Sequence, residues 1–400
     1  MQADSANLRP ASQSKLPTPP TLLQTPLHAL HLELGARMVP FAGYAMPVQY
    51  PTGLVAEHLH TRTAASLFDV SHMGQLRVLG PDAAAALESL MPMDVIDLAV
   101  GKQRYGLLLN AAGGIIDDLM FCKRVGDIFI VVNGACKAGD IAHLQAQIGA
   151  RCQLISMPEQ ALLALQGPLA VNALSRLVPG VQQMVFMDGA RFTWQSAELF
   201  ITRSGYTGED GFEVSVHQDH AVLFARALLA QNEVQAAGLG ARNSLRLEAG
   251  LCLYGQDIDQ GTSPVEAGLM WAAQKVRRAG GARAGGFPGA TKILAAYAQS
   301  TGFAADLPSE NGLQKRVGLI GLERTPVREG TALHSNGSEA IGHVTSGLPS
   351  PSLNQSIAMA YVDTEHAAVG TIIQAMVRGK PVPMKVCAMP FVPTRYYRGV

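Results

Sequence analysis

Residues 110–121 read Asn-Ala-Ala-Gly-Gly-Ile-Ile-Asp-Asp-Leu-Met-Phe, between the apolar run 105–109 (Tyr-Gly-Leu-Leu-Leu) and the run 115–121 that closes the quotation. Two strand-like runs joined across a glycine pair spell a hairpin, so neighbouring strands here pair antiparallel. The second run carries two adjacent carboxylates, Asp117 and Asp118. Burying an ionised carboxylate is costly unless it is paired or hydrogen-bonded, so this placement points to use. Successive strand residues face opposite sides, which predicts different jobs for the two. The plainer alternative is a solvent-edge pair at a strand end.

Outward from the hairpin the pattern stays mixed. Residues 54–66 read as a helix, 75–79 as a strand, and Asp82 opens an alanine-rich helix. The run 127–133 (Asp-Ile-Phe-Ile-Val-Val-Asn) is a third strand, followed by a helix over 138–148. A second unit spans 159–271, with strands near 161–165, 191–203 and 211–216 and helices at 220–230 and 241–249. The stretch 279–312, rich in Gly and Ala, reads as a boundary with an inserted loop. From Arg316 onward alternating runs predict an all-β domain. Strands do not alternate regularly with helices, which disfavours a doubly wound parallel sheet. The class is α+β.

Composition narrows the function. Four hundred residues with 48% apolar content call for two or three packed domains. Lys plus Arg and Asp plus Glu both number 31 and no basic run appears, so nucleic acid finds no electrostatic footprint and a small ligand is favoured. The five cysteines are dispersed without a C-x-x-C spacing, which fits a reduced compartment better than a disulfide framework or a zinc site. No apolar run approaches the roughly 18 residues of a membrane span. Residues 1–24, rich in Pro, Ser, Gln and Leu, lack the apolar core of a secretory signal and read as a disordered extension. The expected location is cytoplasmic, of bacterial type, with mitochondrial targeting by residues 1–24 left open.

Two further segments carry candidate chemistry. In 203–213 (Arg-Ser-Gly-Tyr-Thr-Gly-Glu-Asp-Gly-Phe-Glu), Phe212, Val214 and Val216 share one strand face, leaving Glu213 on the other beside Tyr206. Glu213 is either solvated or part of a pocket wall. In 238–242 (Gly-Leu-Gly-Ala-Arg), Arg242 falls in the first turn of a helix, where the macrodipole disfavours a cation, so a role in binding an anionic group is favoured over a surface arginine. Other patterns are discounted. Phe68-Asp-Val-Ser-His-Met-Gly74 packs Asp, Ser and His too closely in sequence to be taken for a triad. His58 with His60, and His217 with His220, are expected to be solvated. No nucleotide-phosphate loop occurs.

These segments together resemble the aminomethyltransferase, or T-protein, family of the glycine cleavage system. The likeness runs in order through 25–28 (Thr-Pro-Leu-His), 40–47 (Pro-Phe-Ala-Gly-Tyr-Ala-Met-Pro), 68–74, 113–118, 166–168 (Gln-Gly-Pro), 204–213, 238–242, 253–257 (Leu-Tyr-Gly-Gln-Asp), 342–347 and 390–396. It implies three domains in a cloverleaf of mainly antiparallel sheets with flanking helices, closed by a C-terminal β-barrel or jelly-roll-like domain, around a central folate channel. The implied parts are 25–290 as the folate-binding region, with interleaved subdomains roughly 25–72 with 159–270 and 73–158. A linker or loop insertion at 291–314 and a β domain at 315–400 follow. By the same resemblance Asp118 matches the catalytic aspartate, while Met73, Tyr105, Tyr206, Glu213, Arg242 and Tyr396 match folate-contacting positions. The one irregularity is 277–283 (Arg-Arg-Ala-Gly-Gly-Ala-Arg), longer than typical.

The reaction so implied moves an aminomethyl carbon from the dihydrolipoyl arm of lipoylated H-protein to tetrahydrofolate, with no metal. Rivals on the same scaffold are a folate-dependent demethylase of a small methylated donor and a non-enzymatic folate-binding assembly factor. The latter carries a Lys-Gly-Cys-x-x-Gly signature, from which 250–256 (Gly-Leu-Cys-Leu-Tyr-Gly-Gln) departs. A flavin-linked sarcosine or dimethylglycine oxidase is disfavoured because no dinucleotide-binding region precedes the folate segments.

Overall fold

The structure is a computed structural model that describes residues 21–300, 314–335 and 339–399. The hairpin that opened the sequence reading forms as Gln103–Leu109 with Ile115–Lys123. It lies at one edge of a five-stranded, wholly antiparallel sheet continued by Asp127–Val132, Gly74–Leu79 and Gln153–Ser156. The glycine pair is required by geometry. Gly113 has φ of +91°, and a Cβ on Gly114 would lie 1.8 Å from the Gln260 carbonyl oxygen.

A six-stranded sheet follows the order Gly189–Trp194, Ala197–Thr202, Gly211–His217, Gln160–Gln166, Ala65–Asp69, Val234–Ala236. Its pairings are antiparallel except the last. Residues 65–69 thus join strands from beyond 159, while 74–156 builds the other sheet. The expected single strand 191–203 is two strands, turned at Gln195 with φ of +52°. Of the two C-terminal forms expected, the structure has a closed six-stranded antiparallel barrel from Gln314–Gly321 to Lys380–Cys387.

Two boundaries are corrected. Leu23–Gln24 pair parallel with Tyr44–Gln49, so an extension reaching to 24 does not hold at its end, and residues 1–20 lie outside the described residues. The expected linker 291–314 begins as a helix, Ala290–Ser300, whose buried Ile293 enters the core of the five-stranded sheet; residues 301–313 lie outside the described residues. The irregular 277–283 stretch is held by charge. Arg283 reaches Glu88 at 2.8 Å, Asp94 at 2.7 Å and Asp97 at 2.8 Å, and Arg277 lies 3.2 Å from Glu88.

The five-stranded sheet, the six-stranded sheet and the barrel each have their own apolar core. The helix Leu239–Glu248 joins them. Its Ala241 and Leu245, four residues apart on one face, pack with Phe68, Phe129, Val131 and Leu162 between the two sheets, and Leu247 packs on Ile357 and Met359 of the barrel. Gly238 starts the helix against the strand Tyr44–Gln49, where a Cβ would lie 2.5 Å from the Val48 carbonyl. No side chain caps it from within. Instead Glu57 of the helix Leu54–Thr63 accepts the Gly238 N–H at 2.9 Å.

Fixed ions close the far end. Glu248, fully buried, accepts from Arg62 Nη2 at 2.6 Å, the Ser352 hydroxyl at 2.7 Å and Ser350, with His58 Nε2 at 3.1 Å. His58, expected to be solvated, is buried in this cluster because Ser244, at 2.7 Å, and Ser352, at 2.9 Å, bracket its ring. Arg62 also binds Glu209 at 2.7 Å, and Arg246 binds Asp257 at 2.6 Å and Ser346 at 2.9 Å. Burial raises the cost of charge on Glu248, but the His58, Ser350 and Ser352 hydrogen bonds and the His58 charge overcome it and hold its pKa down, to about 2. Its stabilisation is therefore complete above the unfolded-state value and drains as pH falls towards 2. Glu248→Ala takes the buried carboxylate from Arg62 Nη2, His58, Ser350 and Ser352 at once, leaving Arg62 only its Glu209 pair, and is expected to cost about 3–5 kcal/mol, read as a lowered urea midpoint at pH 7.

Candidate active site

Asp118 points from Ile115–Lys123 towards the neighbouring strand of its hairpin, where the Tyr105 hydroxyl donates to Oδ2 at 2.9 Å. Its other oxygen takes the Asn133 side-chain amide at 2.7 Å. Asp117 faces the opposite side and is fully buried, which removes the strand-edge alternative. The two are nonetheless linked. Asn133, just past the strand Asp127–Val132, donates its amide to Asp117 Oδ1 at 2.9 Å as well as to Asp118, and its backbone N–H to Asp117 Oδ2 at 3.2 Å. Strand alternation separates the carboxylates, and a side chain at the strand end rejoins them.

Burial pushes the Asp118 carboxyl up, and the negative charge of Asp117 pushes it further, to about 7, against the hydrogen bonds from Tyr105 and Asn133. Tyr105 is raised well above the usual phenol range by burial and by Asp118, so it stays a neutral donor.

The residues of the turn and helix segments meet on the other side. Glu213 is 9% exposed, its strand neighbours Phe212, Val214 and Val216 lie in the core as expected, and the Ser204 hydroxyl donates to it at a long 3.5 Å. Burial raises its pKa, and Arg242 pulls it back. Arg242 lies in the first helical turn, its N–H bonded to the Gly238 carbonyl. Its guanidinium sits 4.8 Å over the Tyr206 ring, and its Nη1 is buried with no partner among the described residues. Tyr206 feels both Arg242 and Asp118, and its hydroxyl donates to the Cys252 carbonyl. Asp118, Tyr105, Tyr206, Arg242 and Glu213 thus form one electrostatic neighbourhood.

Met73 packs in the inter-sheet core shared with Ala241. Tyr396 stands apart: it stacks on Phe186 at 4.1 Å and lies near Arg62 and Glu209. Its tail runs beside the loop after Tyr206, with Arg395 N–H on the Gly208 carbonyl and Arg395 bridged to Glu209. In the discounted 68–74 segment, Asp69 pairs with His31 at 2.9 Å and accepts the Ser71 N–H, so no triad forms. His72 is buried with an unpartnered Nδ1, and burial and the Arg242 charge push it down to about 4. The sequence pattern discounted His72 and gave no role to Asn133 or to Trp271, an exposed indole stacked on Tyr105 at 5.6 Å. Asn133 had one signal: a polar residue ending an otherwise apolar strand beside the acidic pair.

Two α+β units clamped to a closed barrel, with a half-buried acid and a half-buried guanidinium that both act on Tyr206, define the architecture. Residues 27–277 match the GCVT N-terminal domain and 314–393 the glycine cleavage T-protein C-terminal barrel domain. The chain belongs to the glycine cleavage T-protein family. It is 42% identical over 394 residues to the mitochondrial aminomethyltransferase of Dictyostelium discoideum, covering 94% of each chain, and 43% over 390 residues to that of Gallus gallus, covering 95% of each. The glycine cleavage system aminomethyltransferase T of Bartonella henselae superposes with a TM-score of 0.85 at 41% identity, over 94% of this chain and all of the other. The cytoplasmic expectation is withdrawn, since these curated relatives are named as mitochondrial proteins. Among the described residues no helix is long and apolar enough to cross a membrane.

Because the Asp117 charge raises Asp118, Asp117→Asn is expected to lower the Asp118 midpoint from about 7, read by a pH titration of 13C-labelled aspartate carboxyls.

Proposed function

We propose that this chain is the aminomethyltransferase of a glycine cleavage system. It passes the one-carbon unit of S-aminomethyldihydrolipoyl H-protein to tetrahydrofolate, giving 5,10-methylenetetrahydrofolate, ammonia and dihydrolipoyl H-protein. The observation that carries this reading is Asp118, a half-buried acid with a pKa pushed up to about 7, in the same electrostatic neighbourhood as Arg242 and Glu213.

The residues present fit a folate. Glu213 has spare acceptor capacity for the two-donor amino-pyrimidinone edge of a pterin, and Arg242 offers an orphaned buried donor to an acceptor beside it. Tyr105 and Tyr206 add aromatic surface, and Met73 and Tyr396 are further proposed contacts. Tetrahydrofolate supplies the nitrogens that accept the carbon. Asp118 as the anion stabilises the positive charge that grows on that carbon as its bond to the donor breaks, and the buried setting strengthens the effect. A pKa near neutrality also lets the same carboxyl exchange a proton during turnover.

With aminomethylated H-protein, ammonia release coupled to folate product is the expected activity; methyl transfer from small methylated donors without it would favour the demethylase. Asp118→Asn is expected to lower kcat by on the order of 100-fold or more with folding retained, and Asp117→Asn to be milder with its acid limb moved to lower pH. Equal losses would remove the assignment. Glu213→Ala is expected to weaken folate binding in titration calorimetry, and unchanged affinity would take Glu213 out of the site.

A further inference from the structure

Asp140, in the first turn of the helix Lys137–Ile148, lies on the covered side of the acidic pair. It is 1% exposed and Asp117 is fully buried. The two carboxyls share a hydrogen bond, and Asp140 Oδ2 has no partner among the described residues. Two carboxyl groups bond to each other only when one carries a proton. The structure decides which one. Burial raises the Asp117 carboxyl too, but Asp117 accepts the Asn133 N–H, the Asn133 amide and the Cys136 thiol, three donors beside Asp140 that work against that rise and favour its anion over that of Asp140. Asp140 has burial and its contact with Asp117.

Among the described residues no cation is paired with either acid: Lys137, in the same helix turn, is held by Tyr44 and the His72 carbonyl, and burial lowers the pKa of His143 one turn on. The groups facing the acids are Asp117 and Asp118 on their strand, Tyr105 on the next, Cys136 beside Asp140, Tyr254 from the following segment, and Cys252 beside Tyr105. All are acids. We propose that Asp140 is a positioning residue: protonated, it donates to Asp117, holds that carboxylate in place for Asn133, and thereby sets the pH at which Asp118 ionises. Burial and the Asp117 hydrogen bond and charge push the Asp140 carboxyl up to about 9, which agrees with a proton retained through neutrality. Were Asp140 ionised, a third negative charge would press on Asp118.

The kinetic arm of the test rests on the proposed transfer reaction; the spectroscopic arm does not. Asp140→Asn keeps a neutral donor, and Asp140→Leu removes it. In 13C-carboxyl titrations of the whole protein, one aspartate is expected to stay protonated through pH 8 and to vanish in Asp140→Asn. The Asp118 midpoint is expected to stay within about 0.3 unit, and kcat within about twofold, of the parent in that variant. In Asp140→Leu, Asp117 itself takes up the proton. The Asp118 midpoint and the acid limb of kcat are then expected to fall by about one unit, with the KM for folate little changed. A drop of a unit or more in Asp140→Asn would show that Asp140 was an anion and overturn the proposal, as would an unmoved limb in Asp140→Leu. Should the leucine variant not fold, the asparagine variant still decides. Absence of transfer in the parent protein would overturn the reaction and leave the titration to judge Asp140.

Discussion

The helix Leu239–Glu248 carries four obligations within three turns, and the rest of the molecule depends on their being met together. Its first turn presents Arg242, its Ala241 and Leu245 pack between two sheets, and its end sends Arg246 into a buried ion pair with Asp257 and a hydrogen bond to Ser346 of the barrel, and Glu248 into a buried ion pair with Arg62. Buried pairs of this kind contribute little net stability over apolar packing, but removing one partner is heavily penalised, so they act as a register lock. A slip of one residue would misplace Arg242 and unpair Glu248 at once. Folding of the barrel and geometry of the candidate site are thereby coupled through ten residues.

The site runs on the opposite economy. Where the helix end pairs its charges, the region around Asp117, Asp118 and Asp140 gathers acids and neutral donors, and among the described residues no cation is paired with any of the three carboxyls. That imbalance, with burial, lifts Asp118 to neutrality. Arg242 and Glu213 balance each other only in part, leaving one guanidinium nitrogen without a partner. Unspent hydrogen-bonding capacity in a buried place is what a polar, ring-shaped ligand requires.

Local readings succeeded where the cause was local. The glycine pair at 113–114, the alternation of 211–217 and the strand runs after Arg316 each carry their signal within a few residues, and each appears as expected. Readings that depended on what lies opposite did not. His58 looked solvated because its serine and glutamate partners lie up to 294 residues away, and the 191–203 run hid a turn at a residue with no turn signature. The tail residue Tyr396 followed its loop rather than joining Asp118, because Arg395 anchors it to Glu209.

By itself the sequence determined the α+β class, the antiparallel hairpin and the candidate acids, since hydrophobic period, turn glycines and residue chemistry are properties of short segments. Only the tertiary structure decided that Asp117 and Asp118 share one amide, that Asp140 stands behind them, and that Arg242 covers the Tyr206 ring within reach of the Glu213 charge. These are distances between residues far apart in the chain. Charge interactions in a buried site depend on such distances and on the exclusion of water, and neither exists until the sheets, the helix and the barrel have closed on one another.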